Sequence, residues 1–422
     1  MTTKEAKSSS CIALASAKLS SRRLRAQAAV LALVLWGAVA VDYSLPGLFD
    51  RAGNIKFQDF LQFPISARLI ASGHADQLYD DEVLARGIRG ISDRDTHVFL
   101  QYFYGPQVAL PFIPLAALPF LIQADIWVAL SLLMYFGCIY LIWKRCAALR
   151  SYRALVVLCA LAYPPLFHFF VRGQLSAIVL VCFTGAYLAF AAQRDFLAGV
   201  ALGVLAFKPQ FLVAIPLILL FAQAWKVLAG IMISAAAQLT LTWLHFGRPI
   251  MQAYFTRLLH SASHPGSTEL IFSPIQMHSL HSFWEILIPW RPGVWVLYLL
   301  SSFAVIGIAA AIWKSSVPVA FRFSALMFAA VLVNPHIYIY DLLMLAPTFL
   351  LLTDWSLHNS SHPAKPPIDV LLYLAFLLPL FGPLARWTHL QFSVVIFVAI
   401  LWILHRIATT GHKLAFAETG IV

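Results

Sequence analysis

At 422 residues, 61% hydrophobic and only 11% charged, with a mean hydropathy of +0.81, the chain falls far below the about 25% charge of a soluble domain, and the bilayer is its expected solvent. The formal charge of +11 does not indicate nucleic acid, because Lys and Arg come in short runs between apolar segments instead of on one basic face. Of the five cysteines, Cys11 sits in the N-terminal tail, Cys146 beside a basic run, and Cys138, Cys159 and Cys182 inside apolar stretches, so no disulfide framework or zinc site is indicated.

The chain opens on a polar tail, 1–25, ending in Arg22, Arg23 and Arg25. The apolar run that follows, to about Val41, is long enough for a span, and Asp42-Tyr43-Ser44-Leu45-Pro46 offers no small-residue cleavage site. It reads as an uncleaved first span with a cytoplasmic N-terminus.

Thirteen apolar stretches occur, at about 26–42, 107–122, 126–143, 153–171, 174–192, 196–207, 209–223, 226–246, 293–313, 320–333, 339–353, 368–384 and 389–406. Strict alternation through all of them would place Lys144-Arg145 and Arg150 to Arg153 outside. The conflict disappears if 107–122 does not cross, since Lys144 to Arg153, Arg194, Lys226, Lys314 and Arg406 to Lys413 then all face the cytoplasm. That segment carries Pro106, Pro111, Pro114 and Pro119, which repeatedly break a helical ladder and suit a juxtamembrane or re-entrant element. The expectation is an all-α polytopic membrane protein of about twelve transmembrane helices with both termini cytoplasmic. A single membrane domain, 26–407, is followed by a short tail, 408–422. Two long segments, 43–125 and 247–292, lie on the non-cytoplasmic side, the first with juxtamembrane helices.

That side collects the polar chemistry. Phe57 to Pro64, continuing through Ala67 to Gly73, reads as an interfacial amphipathic helix headed by Asp59 and ended by glycine. Partial burial there raises a carboxylate toward general-base duty, although a capping or solvated acid fits the spacing equally. Gln101-Tyr102-Phe103-Tyr104-Gly105-Pro106 offers aromatic faces at interfacial depth, as a belt or as a platform for sugar rings.

Arg172-Gly173-Gln174 and Lys208-Pro209-Gln210 each place a cation between apolar stretches, where it needs an anionic partner. A phosphate headgroup is one such partner, and an ion pair with Asp59 or Asp341 is the other. Asn334-Pro335-His336 leads to Tyr338, Tyr340 and Asp341 at the mouth of a later span, a site-lining arrangement. His260, His264, His278 and His281 in 247–292 invite a metal reading, but Pro265-Gly266 break the first pair's helix and no His-Glu-x-x-His motif is present. Phosphate-loop, dinucleotide and Gly-x-Ser-x-Gly signatures are absent.

Taken in order, Gln58-Asp59-Phe60, Gly73, Leu78-Tyr79, Tyr104-Gly105-Pro106, Pro111 to Leu115, Gly173-Gln174, Gly199-x-x-x-Gly203 before Lys208-Pro209, and Asn334-Pro335-His336 before Tyr340-Asp341 resemble glycosyltransferase family 87. The resemblance covers about 30 to 355. It implies a C-type glycosyltransferase fold in the inner membrane, a periplasm-facing site, and a hexosyltransferase that takes its sugar, mannose in the best-known members, from a polyprenyl-phosphate donor with inversion. Asp59 occupies the position of the catalytic acid. By the same resemblance Lys208 and Arg172 contact the donor phosphate, while Gln174, Tyr104, His336, Tyr340 and Asp341 line the substrate site. The acceptor is a lipid or a glycan. No cofactor is called for, no metal ligand is assigned, and a divalent ion is not ruled out. In place of the family's Asp-Leu-x-Val-Tyr pattern the chain has Asp59-Phe60-Leu61-Gln62-Phe63, which leaves sugar and acceptor open.

Two other functions compete. A lipid or solute transporter or flippase would show repeated halves and helices broken near the midplane. An O-antigen-ligase-like transferase would place its chemistry in the late loop, around Arg257 and His264.

Overall fold

The computed structural model describes residues 12–92, 98, 100–263 and 274–410; the expected His264 lies outside these. Among the described residues the secondary structure is helical, with only isolated bridges such as Phe49 with Ile55 and Met277 with Tyr338.

Among the described residues six helices are long and apolar enough to cross a bilayer. They begin with α1 (Ser21–Ser44), whose N-cap Ser20 accepts a bond from the Arg23 amide, and α4 (Phe120–Trp143). Two short helices lie between them, α2 (Gln62–Ala71) and α3 (Asp81–Ser92). A bent pair, α5 (Arg153–Leu161) and α6 (Pro164–Arg172), forms a seventh crossing if counted as one, with an angle of 44° at the Pro164-Pro165 break. Then come α7 (Ser176–Ala191), α8 (Asp195–Gly203) and α9 (Ala214–Phe221). The remaining long helices are α10 (Trp225–Ser263), whose segment Trp225–His260 is the candidate span, α12 (Arg291–Lys314), α15 (Lys365–Leu377), which continues to Gly382 as a span, and α16 (Phe392–Thr409). Shorter helices are α11 (Leu280–Leu287), α13 (Val319–Val333) and α14 (Ala346–His358), with a four-residue helix, Ala385–Thr388, before α16.

The proline-rich stretch is a 3₁₀ helix, Pro106–Leu115, packed against α2. Its repeated prolines remove the amide donors an α-helix would need, and the stretch winds as a 3₁₀ helix instead. The segment 247–292 departs from a simple loop. α10 continues through Gly247, whose φ of 77° bends the chain, and carries Arg257 as far as the α3 end of the molecule.

α13 is buried along nearly its whole length, and α7 on most faces, so these two form the centre. At 15 residues α13 rises about 22 Å, short of the roughly 30 Å hydrocarbon core. Its shortness brings the polar turn that follows it inside the body, opposite the N-terminus of α7.

The closest helix contact is between α8 and α10. A Cβ on Gly199 would lie 2.0 Å from the Val227 carbonyl, and one on Gly230 would lie 2.2 Å from the Phe196 carbonyl. The Gly199-x-x-x-Gly203 spacing thus lets two backbones touch, the usual route to helix association in lipid. Gly199→Ala is expected to cost about 1–3 kcal/mol through overpacking. Thermal unfolding in detergent should show the loss, with Gly137→Ala, whose added Cβ meets nothing within 4 Å, as the unaffected control.

Candidate active site

The site forms where α6 ends, α7 begins, and the turn after α13 leads into α14. Asp59 does not head an α-helix. It sits in a 3₁₀ turn, Gln58–Phe60, entered through Phe57 in the left-handed region (φ 55°), and α2 starts only at Gln62. The turn is anchored by Phe60, fully buried and stacked on Trp127 at 6.4 Å between ring centroids. Gln62 donates its side-chain amide to the Asp59 carbonyl at 2.8 Å.

Gly173 brings the partners to it. This residue ends α6 with φ 68°, and a Cβ there would approach the Cβ of Phe60 to 2.8 Å and that of Phe57 to 3.3 Å. Only glycine combines that φ with that approach. Arg172 and Gln174, on either side, both reach Asp59. Gln174 donates to Oδ2 at 2.7 Å, and the Arg172 guanidinium stands 3.5 Å from Oδ1. The Asp59 side chain is 15% exposed and that of Arg172 is 40% exposed, so the pair opens to the surroundings on the arginine side. The Trp127 indole fixes the Gln174 backbone from behind, donating to its carbonyl at 3.1 Å.

Tyr104 joins this group by donating its hydroxyl to Gln174 Oε1 at 3.3 Å. Burial, with the nearby charges of Asp341 and Asp59, pushes its phenol far above the usual range, so it remains a donor. Behind it Tyr79 donates to the Tyr104 carbonyl at 2.9 Å, and its own phenol is pushed up mainly by burial.

A second acid lies deeper. Asp341, in the 3₁₀ turn Ile339–Leu345, is 2% exposed and accepts from Lys208 Nζ at 2.6 Å and Ser176 Oγ at 3.0 Å. Lys208 is 6% exposed, with its ammonium 5.2 Å from the Phe211 ring centroid and 5.8 Å from that of Tyr340. Tyr338 and Tyr340 stack at 5.4 Å with an interplanar angle of 15°.

The residues singled out from sequence therefore mostly converge. Asp59, Arg172, Gln174 and Tyr104 form one bonded group; Lys208, Asp341 and Tyr340 form its deeper neighbour. Both cations have found acids, each its own, which is the ion-pair alternative the spacing left open. His336 lies just ahead of the turn that carries Asp341. Its amide bonds Asn334 Oδ1 at 3.0 Å, burial lowers its pKa, and its ring lies near His281, which packs on Trp295 at 4.7 Å. Ser176 and Trp127 were not foreseen, because a serine at a helix start and a tryptophan within a span carry no signal of their distant partners. Among the described residues no group of three or more His, Cys, Asp or Glu side chains is arranged to hold a metal ion.

Arg257 closes the group from outside. From the far half of α10 it grips both oxygens of Asp81 at the start of α3, each at 2.9 Å, and also bonds the Tyr79 carbonyl. The chain Arg257, Tyr79, Tyr104, Gln174, Asp59 is continuous. Arg257→Gln should lower kcat about ten- to a hundredfold by loosening that geometry, with Arg257→Lys, which loses the fork but keeps the charge, falling between. Initial rates together with donor KM would check it. An effect larger than that of changing Asp59 would favour the late-loop, ligase-like chemistry.

An apolar helical body with a carboxylate, a guanidinium and tyrosines gathered at one end marks a polytopic membrane protein with a candidate site. The chain belongs to glycosyltransferase family 87, whose model matches residues 102–335, and this identifies it as a membrane glycosyltransferase. The matched stretch holds Tyr104, Arg172, Gln174 and Lys208; Asp59, His336, Tyr340 and Asp341 fall outside it. No curated protein and no solved structure matches the chain.

Proposed function

We propose that this glycosyltransferase moves a hexose, mannose first among candidates, from a polyprenyl-phosphate donor to a hydroxyl of a lipid or glycan acceptor, with Asp59 as general base. The observation carrying this reading is the pairing of Asp59 with a half-exposed Arg172 at 3.5 Å, a base and a cation at one opening.

In the proposed step the acceptor oxygen forms a bond to the anomeric carbon as the bond from that carbon to the phosphate oxygen breaks. The phosphate leaves with the electron pair, the acceptor proton passes to Asp59, and single displacement inverts the anomeric centre. Arg172 can turn from Asp59 to an arriving phosphate, gripping it through two donors. That exchange neutralises the donor and releases Asp59 from its counter-ion at the same moment. Lys208 would have to leave Asp341 to touch the phosphate, so its proposed contribution is the field it supplies beneath the site. Tyr104 and Tyr340 offer ring faces to the sugar, while Gln174 and Asp341 hold the base and the floor; His336 belongs to the wall toward α11. No step requires a metal.

The full reading places the site at the periplasmic face of the inner membrane, both termini in the cytoplasm, and a C-type fold in which α7, α8, α9, α13 and α14 add shorter crossings to the long spans, about twelve in all. The distribution of Lys and Arg supports it.

The decisive assay supplies purified, lipid-reconstituted protein with polyprenyl-phosphate mannose or with nucleotide sugars. Transfer is expected from the lipid-linked donor alone, and transfer from a nucleotide sugar would overturn the donor assignment.

A further inference from the structure

A cavity of about 740 Å³ lies between α1, α5, α14 and α15. Its walls are almost wholly apolar, among them Ala28, Val34, Ala160, Phe349, Leu372 and Phe376. One end alone is polar, where Gln27, Lys365, Asp369 and Tyr373 meet.

At that polar end α15 bonds to α1 and to the residues just ahead of it. Tyr373 donates to Gln27 at 3.1 Å, Ser16 donates to Asp369 at 3.0 Å, and Lys365 pairs with Asp369 at 2.6 Å. Higher up, α1 turns its contacts to α5 and α6 instead. The cavity is half open to its surroundings, and its apolar lining offers water few polar partners. Within a bilayer, hydrocarbon fills it.

We propose that this cavity is a binding site for an anionic glycerophospholipid, its chains between α1 and α15 and its phosphate at the basic rim. The rim supplies the charge. Lys18, Arg22, Arg23 and Arg25 flank the lining residues Leu19 and Leu24 in sequence, and Lys365 at the mouth is paired with Asp369. Length agrees: α15 rises about 20 Å over Lys365–Leu377, more than half of a roughly 30 Å hydrocarbon core, so the chains of one leaflet fit without crossing to the other. The polyprenyl donor is a poor occupant. Its phosphate belongs near Arg172, at the opposite end of α1, and that helix is about 36 Å long. The lipid site therefore stands independently of the donor assignment.

The test uses full-length protein and native mass spectrometry after exchange into mixed micelles of phosphatidylglycerol and phosphatidylcholine, with undecaprenyl phosphate as a third probe. Wild type should retain one phosphatidylglycerol in preference to phosphatidylcholine by on the order of tenfold, as expected for several cations at a membrane surface after screening. The triple change Arg22→Gln, Arg23→Gln and Lys365→Gln should bring the two lipids to parity. Two separate fillers, Ala26→Trp on the exposed side of α1 and Cys159→Phe on α5, should each reduce retention of either lipid. Equal retention of the two lipids by wild type, retention unaffected by both fillers, or one-for-one displacement by undecaprenyl phosphate would each overturn the proposal.

Discussion

Asp59→Asn is expected to lower kcat by about two to four orders of magnitude, the range a positioned general base contributes. The substitution preserves shape and leaves an oxygen for the Gln174 amide, now 2.7 Å away, so the loss would report the missing proton acceptor. Donor KM should stay level or fall, because Arg172 no longer has a carboxylate competing with the phosphate for its guanidinium. Asp59→Glu keeps the acceptor but moves it by one methylene, and should retain part of the rate. Initial rates with polyprenyl-phosphate mannose, beside a thermal melt to show that the variant folds, would check all three. Full turnover in the Asn variant would transfer the role elsewhere. Asp341 is a weak alternative, since it is 2% exposed and already accepts from both Lys208 and Ser176. An acceptor hydroxyl reaches it only if that packing opens.

The local features of this arrangement were legible, and the pairings were not. Arg172-Gly173-Gln174 announces itself because a cation between apolar stretches needs an anion and a glycine there permits a sharp end. The partner, though, lies 113 residues away for Arg172 and 133 for Lys208, and composition alone cannot assign two cations to two acids and a phosphate. The proline spacing of 106–119 points to a broken helical ladder, and Pro106–Leu115 winds as a 3₁₀ helix, because missing amide donors act locally. Hydropathy was less decisive about crossings. It registers apolar length, and α7, α8, α9, α13 and α14 are shorter than the long helices and partly buried within the protein, so apolar length alone does not separate lipid-facing from buried helix. His336 was grouped with Tyr340 and Asp341 by closeness in sequence, and its ring also lies near His281, a neighbour from α11 that sequence order does not suggest.

Lys208→Met should be the most destabilising change near the site. It deletes the ammonium 2.6 Å from Asp341 and leaves a carboxylate with 2% exposure and only Ser176 and the Tyr338 amide to satisfy it. Removing one member of a buried pair typically costs about 3–5 kcal/mol, mostly for the charge left behind, and replacing both with apolar residues of similar volume often restores the loss. The double change Lys208→Met with Asp341→Leu should therefore regain most of the melting temperature lost by either single change. Activity separates the two roles of the pair. If Lys208 contributes its positive field to the departing phosphate, the double variant folds well yet shows a raised donor KM and a reduced kcat. Restored stability with wild-type kinetics would make the pair scaffold alone and leave the phosphate to Arg172, the cation that the fold keeps at the opening.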